Sequence, residues 1–160
     1  MSRYSKVMRR PLATVTAALL LCAVLSASAA TGKVSKVLPF FLDLKGRHAL
    51  SPSLYDRDAY QAQLRKSPEL RSALRFDVKW SIRNGGFENQ KLRLDLRGTA
   101  EGNQPREKTV EQVLDREKTG DWTSIILRGE DYKKLGDVTA WRVTLWEGDR
   151  IIGEQKSFLW

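Results

Sequence analysis

The feature that most constrains the fold of this chain is a strict alternation of apolar and polar residues over 74–82. A repeat of two residues places all the apolar side chains on one side of a β-strand, whereas a helix would spread them around its axis. The stretch therefore predicts an antiparallel strand with one face buried and the other in water. Its apolar face comprises Leu74, Phe76, Val78, Trp80 and Ile82.

The same period recurs along the chain and predicts about seven strands in all. The other strands are expected at 37–44, 91–97, 109–115, 122–127, 141–146 and 151–159. The first strand is predicted to have Leu38, Phe40, Leu42 and Leu44 on its buried face. Pro39 on the other face favours an edge position, because proline has no N–H for the sheet ladder. We expect 91–97 to pair with 74–82 across a turn at Asn84-Gly85-Gly86, and 98–108 to form a surface loop.

Two short helical segments are expected among these strands. Asp56 or Asp58 is predicted to cap a helix that reaches about Lys66, and Pro68 ends it, because the residue before a proline disfavours helical backbone. One further helical turn is expected within 128–137.

The segment 140–160 predicts a hairpin, with Gly148-Asp149 as its two-residue turn. We expect its second strand to run from 151 to 159 and to hold the last aromatic residues against the fold. The inward face of the first strand comprises Trp141, Val143 and Leu145, and Trp146 falls on the outward face.

The sequence allows two registers for this hairpin. Regular pairing from the turn places Glu154 and Lys156 opposite inward residues, which turns two charges toward the core. A bulge near Gly153 would reverse the later side chains and bring Gln155, Ser157 and Leu159 inward.

Residues 1–30 have the pattern of a secretory signal peptide. A basic start precedes an apolar run over 12–25, and Ala27-Ser28-Ala29 is a small-residue cleavage signal. We expect cleavage directly before or after Ala30, export to the periplasm or the extracellular space, and one domain over 31–160. An uncleaved membrane anchor is the alternative, but the run is shorter than the ~20 residues of a spanning helix. No transmembrane span is expected after cleavage.

The cysteine count and the net charge further narrow the class of protein and its cellular compartment. Cys22 is the only cysteine, so the processed chain has no disulfide, which fits bacterial export better than eukaryotic secretion. Four of the 28 basic residues and none of the 19 acidic ones precede residue 31, which leaves 24 against 19 and a net charge of +5. The charges alternate in sign along the strands, as on a solvated sheet face, and we expect no nucleic-acid partner.

No motif for catalysis or cofactor binding stands out. His48 is the only histidine, and without a cysteine it makes a poor zinc site, so no metal or cofactor is expected. The acidic pairs at 56–58 and 130–131 lack the ligand spacing of a calcium loop. We therefore expect a protein that is not an enzyme.

Seven short strands with turns every 8–12 residues are typical of an antiparallel sandwich. Leu135, Asp137, Trp141 and Val143 are spaced like the segment that enters the sixth strand of immunoglobulin-like domains. Over about 122–160 the chain resembles the immunoglobulin-like or fibronectin-type-III-like superfold, and the resemblance implies a single antiparallel β-sandwich. With the helix predicted before Pro68, we expect an all-β sandwich with one short helix between the first two strands. That fold hosts many functions and implies none in particular.

Trp80, Trp122 and Trp141 fall on strand faces assigned to the core, which leaves Trp146 and Trp160 as the candidate binding residues. Exposed tryptophans anchor protein partners and also stack on sugar rings. The first hypothesis is therefore an exported non-enzymatic domain that binds another protein of the bacterial envelope or the extracellular space, or has a structural role there. The alternative is a carbohydrate-binding module that uses these rings.

Overall fold

The chain forms two antiparallel β-sheets packed face to face, seen in a computed structural model that describes residues 31–84, 89–115 and 117–160. The strands are Thr31–Asp43 (β1), Arg71–Arg83 (β2), Gln90–Ala100 (β3), Gln104–Val113 (β4), Gly120–Arg128 (β5), Asp137–Glu147 (β6) and Arg150–Lys156 (β7). One sheet has the order β1-β2-β5, and the other has the order β4-β3-β6-β7.

Two helices accompany the strands. Helix α1, Leu54–Lys66, lies between β1 and β2, and helix α2, Gly129–Leu135, lies between β5 and β6. The predicted cap of α1 was wrong: Ser53 is the N-cap, and its side chain accepts a hydrogen bond from the backbone N–H of Asp56. Serine fills this role as well as aspartate, because its oxygen reaches the same unpaired donors.

The predicted face of β2 is confirmed. All five of its alternating apolar side chains are at most 5 % exposed. They pack against β3, whose Leu92, Leu94 and Leu96 are at most 1 % exposed, and against Val143 and Leu145 of β6. The core is therefore the layer between the two sheets.

The predicted pairing of β2 with β3 was wrong. β2 pairs with β1 and β5, whereas β3 pairs with β4 and β6, so the connection after β2 crosses from one sheet to the other. With β1, β2 and β5 in one sheet and β3, β6 and β7 in the other, the order is that of strands A, B, E and C, F, G of immunoglobulin-like domains. The chain is an immunoglobulin-like sandwich, as the resemblance implied.

The predicted loop over 98–108 is mostly strand. β3 continues to Ala100, a 3₁₀ turn covers Glu101–Asn103, and β4 begins at Gln104. The first residues of β4 are polar and exposed on both faces, so this part of the strand shows no hydrophobic alternation in the sequence. Hydrophobic alternation detects only strands with a buried face.

β1 differs from its predicted face. It starts at Thr31, and a register shift between Val34 and Lys36 reverses the side chains that follow. Val37 joins the core and Phe41 packs against it, whereas Phe40 is buried outside that cluster, with its ring 5.3 Å from that of His48. The edge position that Pro39 predicted is confirmed.

The terminal hairpin contains the bulge. Its register shifts so that Leu145 pairs with Gly153 and Val143 with Gln155. The bulge lets Gly153 approach the backbone of Gly32 on β1, where a Cβ atom would lie 3.0 Å from the carbonyl carbon. Glycine at this point therefore allows the last strand of one sheet to close against the first strand of the other.

The predicted end of this hairpin was wrong. β7 stops at Lys156 rather than Leu159, and 157–160 leave the strand in a turn closed by a hydrogen bond from the Trp160 N–H to the Ser157 carbonyl. Phe158 is fully exposed and Leu159 is 69 % exposed. Ser157 stays bonded to Trp141 of β6 through its N–H and its hydroxyl, and Trp160 returns to the sheet beyond the turn.

Some sequence predictions concern residues outside the described part of the chain. They are the signal peptide over 1–30, Cys22 within it, and the two glycines of the turn predicted at 84–86.

Candidate binding face

The outward side of the four-stranded sheet carries both candidate tryptophans, and we call it the tryptophan face. At one end a row runs across all four strands, because residues directly opposite each other share a face. This row consists of Val113, Lys91, Trp146 and Ile151. Val113 is 71 % and Ile151 48 % exposed, so the row presents apolar surface to water.

Trp146 is held in this row by two contacts. Its indole N–H donates to the Thr144 hydroxyl at 2.7 Å, and the Lys91 ammonium lies 5.7 Å from the ring centre. Lys91 also reaches the Glu111 carboxylate at 3.1 Å. The ring is half-buried and fixed in orientation, with its polar atom satisfied.

Trp160 lies on the same face at the other end. The guanidinium of Arg97 is 4.3 Å from its ring centre, and that of Arg142 is 4.9 Å away. Two cations on one indole are a favourable arrangement, because the ring face is electron-rich. The ring borders a cleft of about 200 Å³ that also contains Asp95 and Lys108.

Asp95 connects the two halves of the face. Its side chain is 9 % exposed and accepts hydrogen bonds from Arg93 at 2.9 Å, Arg142 at 3.1 Å and Thr109 at 2.7 Å. Burial acts to raise the pKa of Asp95, but the hydrogen bonds from Thr109, Arg93 and Arg142 outweigh it and lower the pKa. The carboxylate stays ionised and fixes the arginine that contacts Trp160.

The structure does not bring Trp146 and Trp160 together. They stand beside Lys91 and Arg97 of β3, six residues apart, or about 20 Å along a strand. The network around Asp95 fills the space between them.

The predicted core positions of the other tryptophans are partly correct. Trp80 is 2 % exposed and Trp141 packs against the core beside Phe76, with ring centres 6.4 Å apart. The prediction for Trp122 was wrong, because its side chain is 45 % exposed on the outer face of the three-stranded sheet. Lys79 lies 5.9 Å from its ring there. The inward residues of β5 are Thr123, Ile125 and Leu127, so the face was assigned one residue out of phase.

The residues considered for catalysis lie apart from this face. The imidazole of His48 packs on Phe40, and its pKa is lowered by burial and by the nearby Arg75. Asp56 accepts from Ser51 at 2.6 Å at the start of α1. Asp131 pairs with Lys108 at 2.7 Å.

Within 31–84, 89–115 and 117–160 there is no cluster of three or more histidine, cysteine, aspartate or glutamate residues suited to a metal ion. No helix in that same part of the chain has the length and apolar character to cross a membrane.

Sequence reasoning missed three parts of the face. Val113 was placed in a strand with no predicted partner, Ile151 at the start of the second hairpin strand, and Arg97 was one charge in an alternating series. Their alignment with Trp146 and Trp160 comes from cross-strand register, which pattern alone does not give. The one sequence signal for this face was the position of Trp146 on the outward side of its predicted strand.

No protein-family model matches this sequence, and comparison with curated proteins finds no match. Among solved structures, the chain is similar to an immunoglobulin-like protein from Pseudomonas aeruginosa at 16% sequence identity and a TM-score of 0.34. The similarity covers 54% of this chain and 71% of that one. The architecture assigned above follows from this chain's own strand order.

Proposed function

We propose that this protein is an exported, non-enzymatic domain of the bacterial envelope or extracellular space that binds another protein through the tryptophan face. The observation that carries the proposal is the row of Val113, Lys91, Trp146 and Ile151, in which exposed Val113 and Ile151 flank Lys91 and the half-buried Trp146 ring. Apolar side chains grouped on one exposed face mark interaction sites.

The composition of the face supports a protein partner. Tryptophan and arginine dominate the energetics of protein interfaces, because they bury a large area in a fixed orientation. Trp146 and Trp160 are both held by neighbouring cations before any partner arrives, so little side-chain entropy would be lost on binding. Paired charges around them form a polar rim.

A glycan is the alternative ligand, and Trp146 is the residue that favours it, since a half-buried ring on a flat sheet can stack on a sugar. The separation of about 20 Å between the two rings, with the Asp95 network between them, favours a protein over a continuous row of sugar-stacking rings.

The proposal is tested by photocrosslinking in the native host. A photoreactive phenylalanine analogue at Ile151 lies beside Trp146, and the same analogue at Tyr55, 83 % exposed on α1, is the matched control. We expect one discrete crosslinked protein from position 151 and none of that mass from position 55.

A second substitution links the crosslink to the face. Trp146→Ala should abolish the crosslink from position 151 and weaken binding of the identified partner about 30-fold, because a central tryptophan contributes about 2 kcal/mol or more. Crosslinks that persist in Trp146→Ala would contradict the proposal. Saturable binding of a purified glycan that Trp146→Ala abolishes would instead establish the alternative.

A further inference from the structure

Among the described strands, β5 is the edge with the least protection against pairing with another strand. An edge strand exposes unpaired N–H and C=O groups, and proteins normally block such edges with prolines, bulges, charges or covering segments. The sandwich has four edges, formed by β1, β4, β5 and β7. These four edges differ in how well they are protected against pairing with another strand.

β1 is protected by three devices. Pro39 lacks a donor, and the register shift after Val34 disrupts the edge. The Gln61 side chain of α1 accepts from the Phe41 N–H at 2.8 Å and donates to the Phe41 carbonyl at 2.9 Å, as a neighbouring strand would.

β4 and β7 are protected by composition and shape. β4 contains Pro105 and charged residues at 106–108 and 111. β7 has seven residues, a bulge, and charges at Arg150, Glu154 and Lys156.

β5 has one of these devices, the Asp121 carboxylate that accepts from the Trp122 N–H, and lacks the others. Its nine residues pair with β2 without a register shift, and the segment 122–127 contains neither proline nor charge. Trp122 and Ile126 are 45 % and 36 % exposed on its outward face. Among the described residues no strand pairs with its other side.

The ladder shows which groups face the free edge. The Ile82 N–H donates to the Thr119 carbonyl, so the odd-numbered residues of β5 bond to β2 and the even-numbered ones point away. The Trp122 N–H donates to the carboxylate of Asp121 at 2.7 Å instead of to β2, which agrees with this parity. Ser124 and Ile126 therefore present both backbone donors and acceptors outward, and Trp122 presents its carbonyl, because its N–H is bonded to Asp121.

We propose that β5 pairs antiparallel with β5 of a second copy of this chain, about a two-fold axis at Ser124, so that two three-stranded sheets become one six-stranded sheet. This register brings outward-bonding residues opposite each other: Ser124 with its own copy, and Trp122 with Ile126 twice. It is also the register that pairs Gly120–Arg128 with itself over its full length.

The side chains of β5 fit a second copy. Each Trp122 ring covers an Ile126 side chain of the other copy, an aromatic and β-branched pair of the kind that stabilises sheets. Arg128 of one copy lies opposite Gly120 of the other, where no side chain hinders it. An isologous contact of this kind closes on itself and ends at the dimer.

The test is sedimentation of the purified protein over a range of concentrations. One strand from each copy buries less than the ~1,600 Å² of a standard interface, so we expect dimers at micromolar or higher concentration. A protein that remains monomeric up to about 1 mM would overturn the proposal.

Charge exchange at Ser124 tests the register. The Ser124 side chain is exposed, and Ser124→Lys or Ser124→Glu places like charges opposite each other in a homodimer. Each variant alone should raise the dissociation constant roughly fivefold or more, and an equimolar mixture of the two should recover association as a heterodimer. Recovery in the mixture also shows that both variants are folded.

The control is Tyr55→Lys, which adds a lysine on α1 at a site 83 % exposed. It should leave association unchanged. Dimers that tolerate both Ser124 variants, or that Tyr55→Lys dissociates, would show a different interface and overturn the proposal. These measurements use this protein alone, so their outcome is independent of the proposed partner.

Discussion

Trp80 and Trp122 lie on adjacent strands but on opposite faces of the three-stranded sheet, because Trp122 pairs with Lys79 and not with Trp80. Trp80 is enclosed between the sheets, and its indole N–H donates to the Thr123 hydroxyl at 2.9 Å. Trp122 shares the outward face with lysine. A difference of one residue in the cross-strand pairing thus places one tryptophan in the core and the other on the surface.

This contrast gives the first prediction. Trp80→Ala should lower the free energy of unfolding by about 3–5 kcal/mol, because it leaves a cavity that the sheets cannot close. Trp122→Ala should lower it by less than about 1 kcal/mol. Urea unfolding at low micromolar concentration measures both, and equal losses would show that the faces of β5 and β2 are wrongly assigned.

Asp43 is the second residue whose environment determines its behaviour. It is 5 % exposed at the end of β1 and accepts hydrogen bonds from the Arg47 N–H and the Tyr60 hydroxyl at 2.8 and 2.7 Å. Burial acts to raise the pKa of Asp43, but hydrogen bonds from the backbone of Arg47 and Lys45 and from the side chains of Tyr60 and Arg47 hold it well below the ordinary value.

The second prediction follows from that lowered pKa. The stabilisation from the ionised Asp43 should be fully present above the unfolded-state pKa of about 3.9 and should be lost as the pH falls from there toward the folded-state pKa. Asp43→Asn should cost roughly 2–3 kcal/mol at pH 7 and should flatten the fall of stability below pH ~4. Unfolding free energies measured from pH 2 to 7 test this, and an unchanged acid slope would contradict it.

At the scale of elements, β7 and the tail after it have different roles. β7 covers the edge of β6 and brings Gly153 against Gly32, which closes one side of the sandwich. The tail contributes the stack of Trp160 on Arg97 and Arg142, while Phe158 and Leu159 remain in water.

The third prediction separates the two by truncation. A chain that ends at Ser157 keeps the hydrogen bonds to Trp141, so it should fold and lose about 1–2 kcal/mol, the value of two cation–π contacts. A chain that ends at Arg150 should be insoluble or molten, because the β6 edge and the core beneath it lose their cover. Circular dichroism and thermal melts distinguish these outcomes, and a cooperatively melting, monomeric protein truncated at Arg150 would contradict the role of β7.

At the scale of the whole molecule, the sandwich has to be stable without covalent staples. Its core is one apolar layer between two sheets, and a domain of this size has about 5–15 kcal/mol in total. β1 contributes to that layer from Val34 onward, and its first residue, Thr31, already pairs with Arg83.

The fourth prediction concerns processing. We expect the exported protein to begin at Ala30 or Thr31, which leaves β1 whole, and to melt at the same temperature with and without reductant. N-terminal sequencing and melting curves in dithiothreitol measure these two properties. An intact Met1 in the membrane fraction would contradict cleavage, and a melting point that falls on reduction would contradict the absence of a disulfide.

The sequence by itself determined the strands that have one buried face. β2 was located from alternation alone, and the outward phase of Trp146 was correct, because period two has a direct physical meaning in a half-buried strand. Alternation failed to locate the start of β4, which is exposed on both faces. It also misplaced Trp122, because apolar residues occupy both faces of β5.

Only the tertiary structure decided which strands are neighbours. The crossing from β2 to β3, the bulge that pairs Leu145 with Gly153, and the alignment of Val113 with Trp146 and Ile151 all depend on contacts between distant segments. Local pattern gives the face of a residue, whereas register depends on how two sheets share one core. The tryptophan face and the free edge of β5 therefore became visible only when the strands were assembled.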